Sequence, residues 1–243
     1  MGKIYVVGMG PGQEDKMTVE AIAALEKSDV IVGYTVYLEL LSEKYKEKEI
    51  LSTPMKFETE RCRMCLEKAL EGKTVSMICS GDAGVYGMAS LVLQISEEYE
   101  RIEIEVIPGV TAALSGAAVL GAPLGHDFCV ISLSDLLTPW ELIEKRLENA
   151  AKGDFCMAIY NPSSRKRADY LQKACDILLK ELDGKTVCGY VKNIGRELEE
   201  AHICTLDELR DTKVDMFTTV FIGNSNTRII NDRMVTPRGY KYE

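Results

Sequence analysis

Ile78-Cys79-Ser80-Gly81-Asp82-Ala83-Gly84-Val85-Tyr86-Gly87 gathers one carboxylate among small side chains at the end of an apolar, β-like run from Thr74 to Cys79. After Asp82 nothing larger than Ala occurs until Val85, so a ligand can come close to the backbone N–H and C=O groups. Two turns of similar build follow other strand-like runs. They are Gly8-Met9-Gly10-Pro11-Gly12 after Ile4 to Val7, and Pro108-Gly109-Val110-Thr111-Ala112 after Ile104 to Ile107. In open α/β sheets ligands sit beyond the carboxyl ends of the strands, so three such ends point to one shared site for a small polar molecule held mostly by main chain.

Other chemistries fit less well. A dinucleotide fingerprint needs Gly where Gln13 stands, and Pro11 removes an N–H that a pyrophosphate would use. No Gly-Lys-Ser/Thr sequence makes a P-loop. Cys62 and Cys65 form a C-x-x-C, but no second pair or His follows at zinc-like spacing and the surroundings read as a charged helix, so no metal site is expected. The other cysteines lie mostly in apolar strand-like runs, as reduced buried thiols do.

The elements that must hold these turns alternate in the first half. Strand-like Ile4–Val7, Val30–Val32, Glu49–Leu51 and Thr74–Cys79 are separated by helix-like stretches near Thr18–Lys27, Val36–Leu41 and Glu58–Leu70, with Thr18 as an N-cap. This predicts a mainly parallel sheet covered by helices on both faces. An Ala- and Leu-rich helix over Thr111–Leu120 leads into Gly121-Ala122-Pro123-Leu124-Gly125, which reads as a hinge. Beyond it, strands at Phe128–Ser132, Phe155–Tyr160, Thr186–Val191, Ala201–Cys204 and Thr218–Ile222 are joined by helices near Trp140–Ala151 and Arg167–Leu182. Two neighbouring strands with no helix between them imply antiparallel pairing, hence a mixed second sheet. The fold class is therefore α/β, with two domains, 1–112 and 113–243, and a cleft between them.

The 243 residues carry a formal charge of −9, which disfavours a nucleic-acid partner. No apolar stretch approaches the roughly 20 residues of a membrane span, and the N-terminus enters its first strand without a basic-then-apolar leader. A cytoplasmic protein with no membrane partner is expected.

The order of motifs identifies a family. Gly8-x-Gly10-Pro11-Gly12, Ser80-Gly81-Asp82 with Val85-Tyr86, Pro108-Gly109-Val110-Thr111-Ala112 and Tyr160-Asn161-Pro162 resemble the tetrapyrrole (corrin and porphyrin) methylases over essentially the whole chain. The stretch from Gly125 to Trp140, Ile222-Gly223-Asn224-Ser225 and Thr236-Pro237-Arg238-Gly239-Tyr240 are similar to the members that methylate carbon 17 of a corrin precursor and contract its ring. The sequence stops soon after Tyr240, without the cysteine-rich extension of some longer members.

The resemblance implies S-adenosylmethionine as cofactor, S-adenosylhomocysteine as its product, a small-molecule tetrapyrrole substrate with or without cobalt, and a homodimer. It carries cofactor roles to Gly10, Pro11, Gly81, Asp82, Val85, Tyr86, Thr111, Ala112, Tyr160, Asn161, Ile194 and Thr219. Asp82 would accept from the cofactor's amino-acid part or ribose, unless it merely forms its turn. The helix starting at Thr111 and Ala112 would offer free N–H groups to a carboxylate. Acetate and propionate groups on the substrate would need local positive charge, for which Arg165, Lys166, Arg167, Arg196, Arg228 and Arg238 are candidates. Methyl transfer needs orientation and dryness, whereas ring contraction moves protons, and His126, Asp127 and Asp135 are its candidate titratable groups. His202 reads as structural. A sibling methylase acting on another ring carbon, or a non-catalytic cofactor or corrinoid binder, stays open.

Overall fold

The computed structural model describes residues 2–164 and 166–241. Two compact units meet in sequence at Ala112 and Ala113.

The first unit holds strands β1 (Lys3–Gly8), β2 (Val30–Tyr34), β3 (Glu49–Thr53), β4 (Thr74–Cys79) and β5 (Glu103–Ile107), with helices α1 (Val19–Lys27), α2 (Thr35–Leu38), α3 (Glu58–Leu70) and α4 (Ala89–Ser96). All strand pairs are parallel, in the order β3-β2-β4-β1-β5. Side chains along the strands alternate between two buried faces. Ile4, Val6, Val30, Val32, Val75 and Met77 pack with Cys62, Cys65 and Leu66 of α3 and Val92 of α4. Val7, Ile31, Ile78 and Ile107 pack on the other side with Ala21 and Leu25 of α1. Burial on both faces is why β1, β2 and β4 read as largely apolar runs, whereas β3 and β5 at the edges keep charged, exposed residues. Thr18 caps α1 as expected, its hydroxyl accepting from Ala21 N at 3.1 Å.

The second unit contains α5 (Ala112–Leu120), β6 (Gly121–Ala122), β7 (Phe128–Ser132), α6 (Trp140–Lys152), β8 (Cys156–Tyr160), α7 (Tyr170–Leu178), β9 (Val187–Lys192), β10 (Glu200–Thr205), α8 (Leu206–Arg210), β11 (Thr218–Ile222), β12 (Arg228–Ile230) and β13 (Arg233–Val235). Its main sheet runs β10-β9-β11-β8-β7 and is mixed: β7 and β8 are parallel and the other pairs antiparallel. The β9–β10 pair is the antiparallel neighbour expected from the missing helix.

Gly121-Ala122-Pro123-Leu124-Gly125 is tied down rather than hinge-like. Gly121 and Ala122 pair with Met234 and Val235 of β13, Thr236 N donates to Ala122 O at 3.0 Å, and the Thr236 hydroxyl donates to Pro123 O at 2.6 Å. A Cβ on Gly125 would stand 2.3 Å from Thr236 O, so only Gly lets these backbones touch. Among the described residues no helix is long and apolar enough to cross a membrane, and no cluster of His, Cys, Asp and Glu could hold a metal ion.

Candidate functional site

The parallel order puts the carboxyl ends of β4, β1 and β5 side by side, and the three glycine-rich turns converge there. Gly10 N donates to Gly81 O at 2.9 Å and Gly81 N to Gly10 O at 2.7 Å, a two-way backbone bridge between the first two turns. The third turn closes against both. A Cβ on Gly109 would lie 2.2 Å from Gly81 O and 2.5 Å from Gly8 O, and one on Gly8 would lie 2.6 Å from Gly109 N. The floor of the cradle is therefore bare main chain. Gly10 and Gly81, at φ +67° and +69°, hold the left-handed conformation that side-chain-bearing residues resist. Tyr86 also has positive φ and, with Val110, leaves apolar surface exposed at the turns.

Asp82 organises this cradle. Its Oδ1 accepts from Gly84 N at 2.8 Å and Val85 N at 3.0 Å, and its Oδ2 from Gly109 N at 2.9 Å. The carboxylate thus forms an Asx-type turn and also clasps the β5 turn. Its lone pairs are largely engaged by backbone, so it acts on a ligand mainly through the shape it holds. Thr111 and Ala112 adjoin Gly81: their Cα and N lie 3.6 Å from where a Gly81 Cβ would be. One early N–H of α5 is taken, since Ala113 N donates to the Tyr160 hydroxyl at 2.7 Å.

In the second unit, the parallel β7–β8 pair brings its two strand ends together. Leu133 N donates to Tyr160 O at 2.9 Å, and Asn161, at φ 52°, donates from Nδ2 to Ser132 Oγ at 2.9 Å. Ile194 is buried and faces Gly116 of α5, where a Cβ would come within 2.9 Å of its Cδ1. Thr219, also buried, pairs with Val191 in the sheet.

The proton-moving group does not assemble as expected. His126 Nδ1 accepts from Asp127 N at 3.0 Å, and the two side chains are 47% and 85% exposed, a local pair open to solvent. Asp135 belongs to a different cluster, paired with Arg167 and accepting from the Tyr170 hydroxyl at 2.7 Å. The Tyr170 hydrogen bond and then Arg167 hold its carboxyl below the usual range, so it stays ionised and is poorly suited to carry a proton. The same pairing commits Arg167, expected to meet substrate, to Asp135. Tyr170 further packs on Trp140, with ring centroids 4.6 Å apart. Arg196 lies over the Phe217 ring and Arg238 over Tyr240, Arg228 and Lys166 are exposed, and Arg165 lies outside the described residues. His202 stacks on Tyr190 at 4.9 Å, in keeping with a structural role.

Cys62 and Cys65 are buried on the inner face of α3. Desolvation pushes the Cys62 thiol up to about 12 and raises that of Cys65 as well, so both rest as neutral thiols packed in the core. The residue that sequence reasoning passed over is Arg61. Its signal was the helical stripe Arg61, Cys62, Cys65, Leu66 and Ala69, which puts a guanidinium on the buried face.

Residues 3–210 match the family described as Tetrapyrrole (Corrin/Porphyrin) Methylases. The chain is 46% identical over 238 residues to the "Probable cobalt-factor III C(17)-methyltransferase" of Salmonella typhimurium, covering 98% of this chain and 99% of that protein. It is also 46% identical to the "Cobalt-factor III methyltransferase" of Priestia megaterium, a longer protein of which it spans 45%. Among solved structures, that of the methyltransferase CobJ superimposes with a TM-score of 0.91 at 38% identity, covering 98% of this chain and all of that one.

Proposed function

The chain belongs to the tetrapyrrole (corrin/porphyrin) methylases, and from that premise we propose that it methylates carbon 17 of a cobalt-factor III-type macrocycle with S-adenosylmethionine, contracting the ring. The observation that carries this reading is the convergence of three glycine turns on one bare-backbone cradle. Such a surface fits a compact cofactor read by main-chain donors and acceptors, and the exposed faces of Tyr86 and Val110 suit its apolar parts.

Gly10, Pro11, Gly81, Val85, Tyr86, Thr111 and Ala112 would hold the cofactor, with Asp82 as the positioning residue that fixes the turns. Bound S-adenosylmethionine supplies an electrophilic methyl group. The chain's own part in that step is orientation and exclusion of water, which requires no protein nucleophile. For contraction, His126 is the remaining proton-moving candidate, with Asp127 beside it, because Asp135 is held ionised by its partners. The proposed assembly is a homodimer, and a monomeric mass by light scattering at micromolar concentration would count against it.

Mass spectrometry of the product after incubation with methyl-labelled S-adenosylmethionine and cobalt-factor III, or its metal-free counterpart, tests the reading. One added labelled methyl at carbon 17 on a contracted ring is expected. Methyl on another carbon would make this a sibling enzyme, and tight binding without turnover would make it a binder.

A further inference from the structure

Beside the β4 turn lies a small cavity of about 200 Å³, lined in part by Tyr34, Tyr37, Arg61, Ser80, Tyr86 and Met88. Arg61 is only 4% exposed. Its Nε donates to Thr53 Oγ1 at 2.9 Å, and its Nη2 to Thr53 O at 3.4 Å and Pro54 O at 3.1 Å. Nη1 has only the Met88 sulfur, at 4.0 Å. Every one of these partners is neutral, and among the described residues no carboxylate forms an ion pair with the guanidinium. Glu58 also lines the cavity, but its Oε1 accepts from Lys56 N.

A buried charge without a counter-charge is costly, and a neutral amide could tie α3 to the end of β3 through the same kinds of hydrogen bond. What a guanidinium adds is a permanent positive charge and a planar fork that matches a carboxylate. The fork is held in place, with Cζ 5.9 Å from the Tyr34 ring centroid and Tyr37 edge-on to Tyr34 at 5.2 Å. Its weakly satisfied edge is the one toward Met88, which lines the cavity with it. Size narrows the ligand. At ~30 Å³ per water the space holds roughly seven waters' worth of volume, enough for a carboxyl and its methylene arm but far too little for a tetrapyrrole macrocycle.

We infer that this cavity takes one peripheral carboxylate of the tetrapyrrole substrate, with Arg61 as its fixed cation, a specificity residue within the function proposed above. The anchor sits next to the Ser80-Gly81-Asp82 turn, so a side chain seated on it sets where the macrocycle lies relative to the cofactor cradle. The cofactor's amino-acid carboxylate has the same chemistry, and the test separates the two sources.

Calorimetry with S-adenosylhomocysteine, and separately with cobalt-factor III in its presence, would be run on the wild-type protein, Arg61→Met and Arg61→Lys. In Arg61→Met the macrocycle should bind about tenfold or more weakly, with KM raised far more than kcat is lowered, while S-adenosylhomocysteine affinity holds within about twofold. Arg61→Lys should recover part of the loss. Should S-adenosylhomocysteine binding fall instead, the guanidinium serves the cofactor and the inference is overturned; it is equally overturned if a folded Arg61→Met protein binds both normally. Titrating wild-type protein with sodium propionate, while following the Arg61 guanidinium nitrogens by NMR, needs neither a stable variant nor turnover. A saturable shift supports the pocket even if no tetrapyrrole is methylated, and its absence sinks the pocket whatever the enzyme does.

Discussion

Asp82 spends its carboxylate on three backbone N–H groups belonging to two different turns. Removing it leaves those donors unpaired, so Asp82→Ala should weaken S-adenosylhomocysteine binding by about 1.5–3 kcal/mol through loss of turn shape, measurable by calorimetry. Asp82→Asn, which keeps one acceptor oxygen, should lose less. Asp135 gives a pH signature. Tyr170 and Arg167 depress its pKa on folding, and a depressed carboxyl adds stability above its unfolded pKa of about 3.9 and loses it as the pH falls through the folded value. The gap in thermal midpoint between wild type and Asp135→Asn should therefore be full at neutral pH and close on acidification below about pH 4. A gap that persists in acid would mean the ion pair is not its source. His126→Ala, in contrast, should leave cofactor affinity intact and let a methylated, uncontracted macrocycle accumulate, visible as added methyl mass with the absorption spectrum of the larger ring. Contracted product at the wild-type rate would remove His126 from the mechanism.

At the level of elements, the three turns form a single unit, because Gly8 and Gly109 leave no room for a Cβ and Gly10 and Gly81 are bridged through their backbones. Gly109→Ala would push a methyl into two carbonyl oxygens and should cost about 1–3 kcal/mol of stability along with cofactor binding. Thr205→Ala, which breaks the capping box of α8 with Glu208, should cost about 1 kcal/mol without changing cofactor affinity. Chemical denaturation paired with calorimetry distinguishes the two. The turns were legible in the sequence because left-handed backbone and close approach both demand Gly, and the inner parallel strands because burial on two faces leaves largely apolar runs. Other elements were not. The two-residue β6 exists only through pairing with β13 across more than 100 residues of chain, β12 and β13 form a short hairpin of three-residue strands beside it, and α4 and α8 escaped a reading that looked for longer periodic runs. The Asp135–Arg167–Tyr170 cluster was hidden for a related reason: its members meet because β7 and β8 run in register, and no local spacing announces that. Arg61 was visible as a helical stripe but was absorbed into the description of a charged helix.

Across the whole molecule, 29 Lys and Arg are outnumbered by 38 Asp and Glu, and several arginines expected at the substrate are engaged elsewhere or exposed. This raises the value of the one at Arg61 that is buried among neutral partners. The thiols form a second molecule-wide pattern. All eight cysteines are unpaired, and only Cys129 and Cys204 are other than fully buried. An aromatic disulfide reagent should modify at most those two in the native protein and all eight in denaturant. Faster labelling at Cys62 or Cys65 would show that α3 opens in solution.

The position of β1 carries a consequence for how the chain is made. Strand β1 lies inside its sheet, between β4 and β5, so when it is made both of its edges are unpaired and neither partner is yet synthesised. Its two hydrogen-bonding edges are filled only after residues 74–79 and 103–107 have followed. Folding of this unit is thus held back by long-range pairing, and during translation the nascent chain displays an apolar, unpaired strand open to chaperones or to misassociation. The cradle itself requires Gly109, so no nascent chain lacking it can form the three-turn surface, which arrives only once β5 has been made.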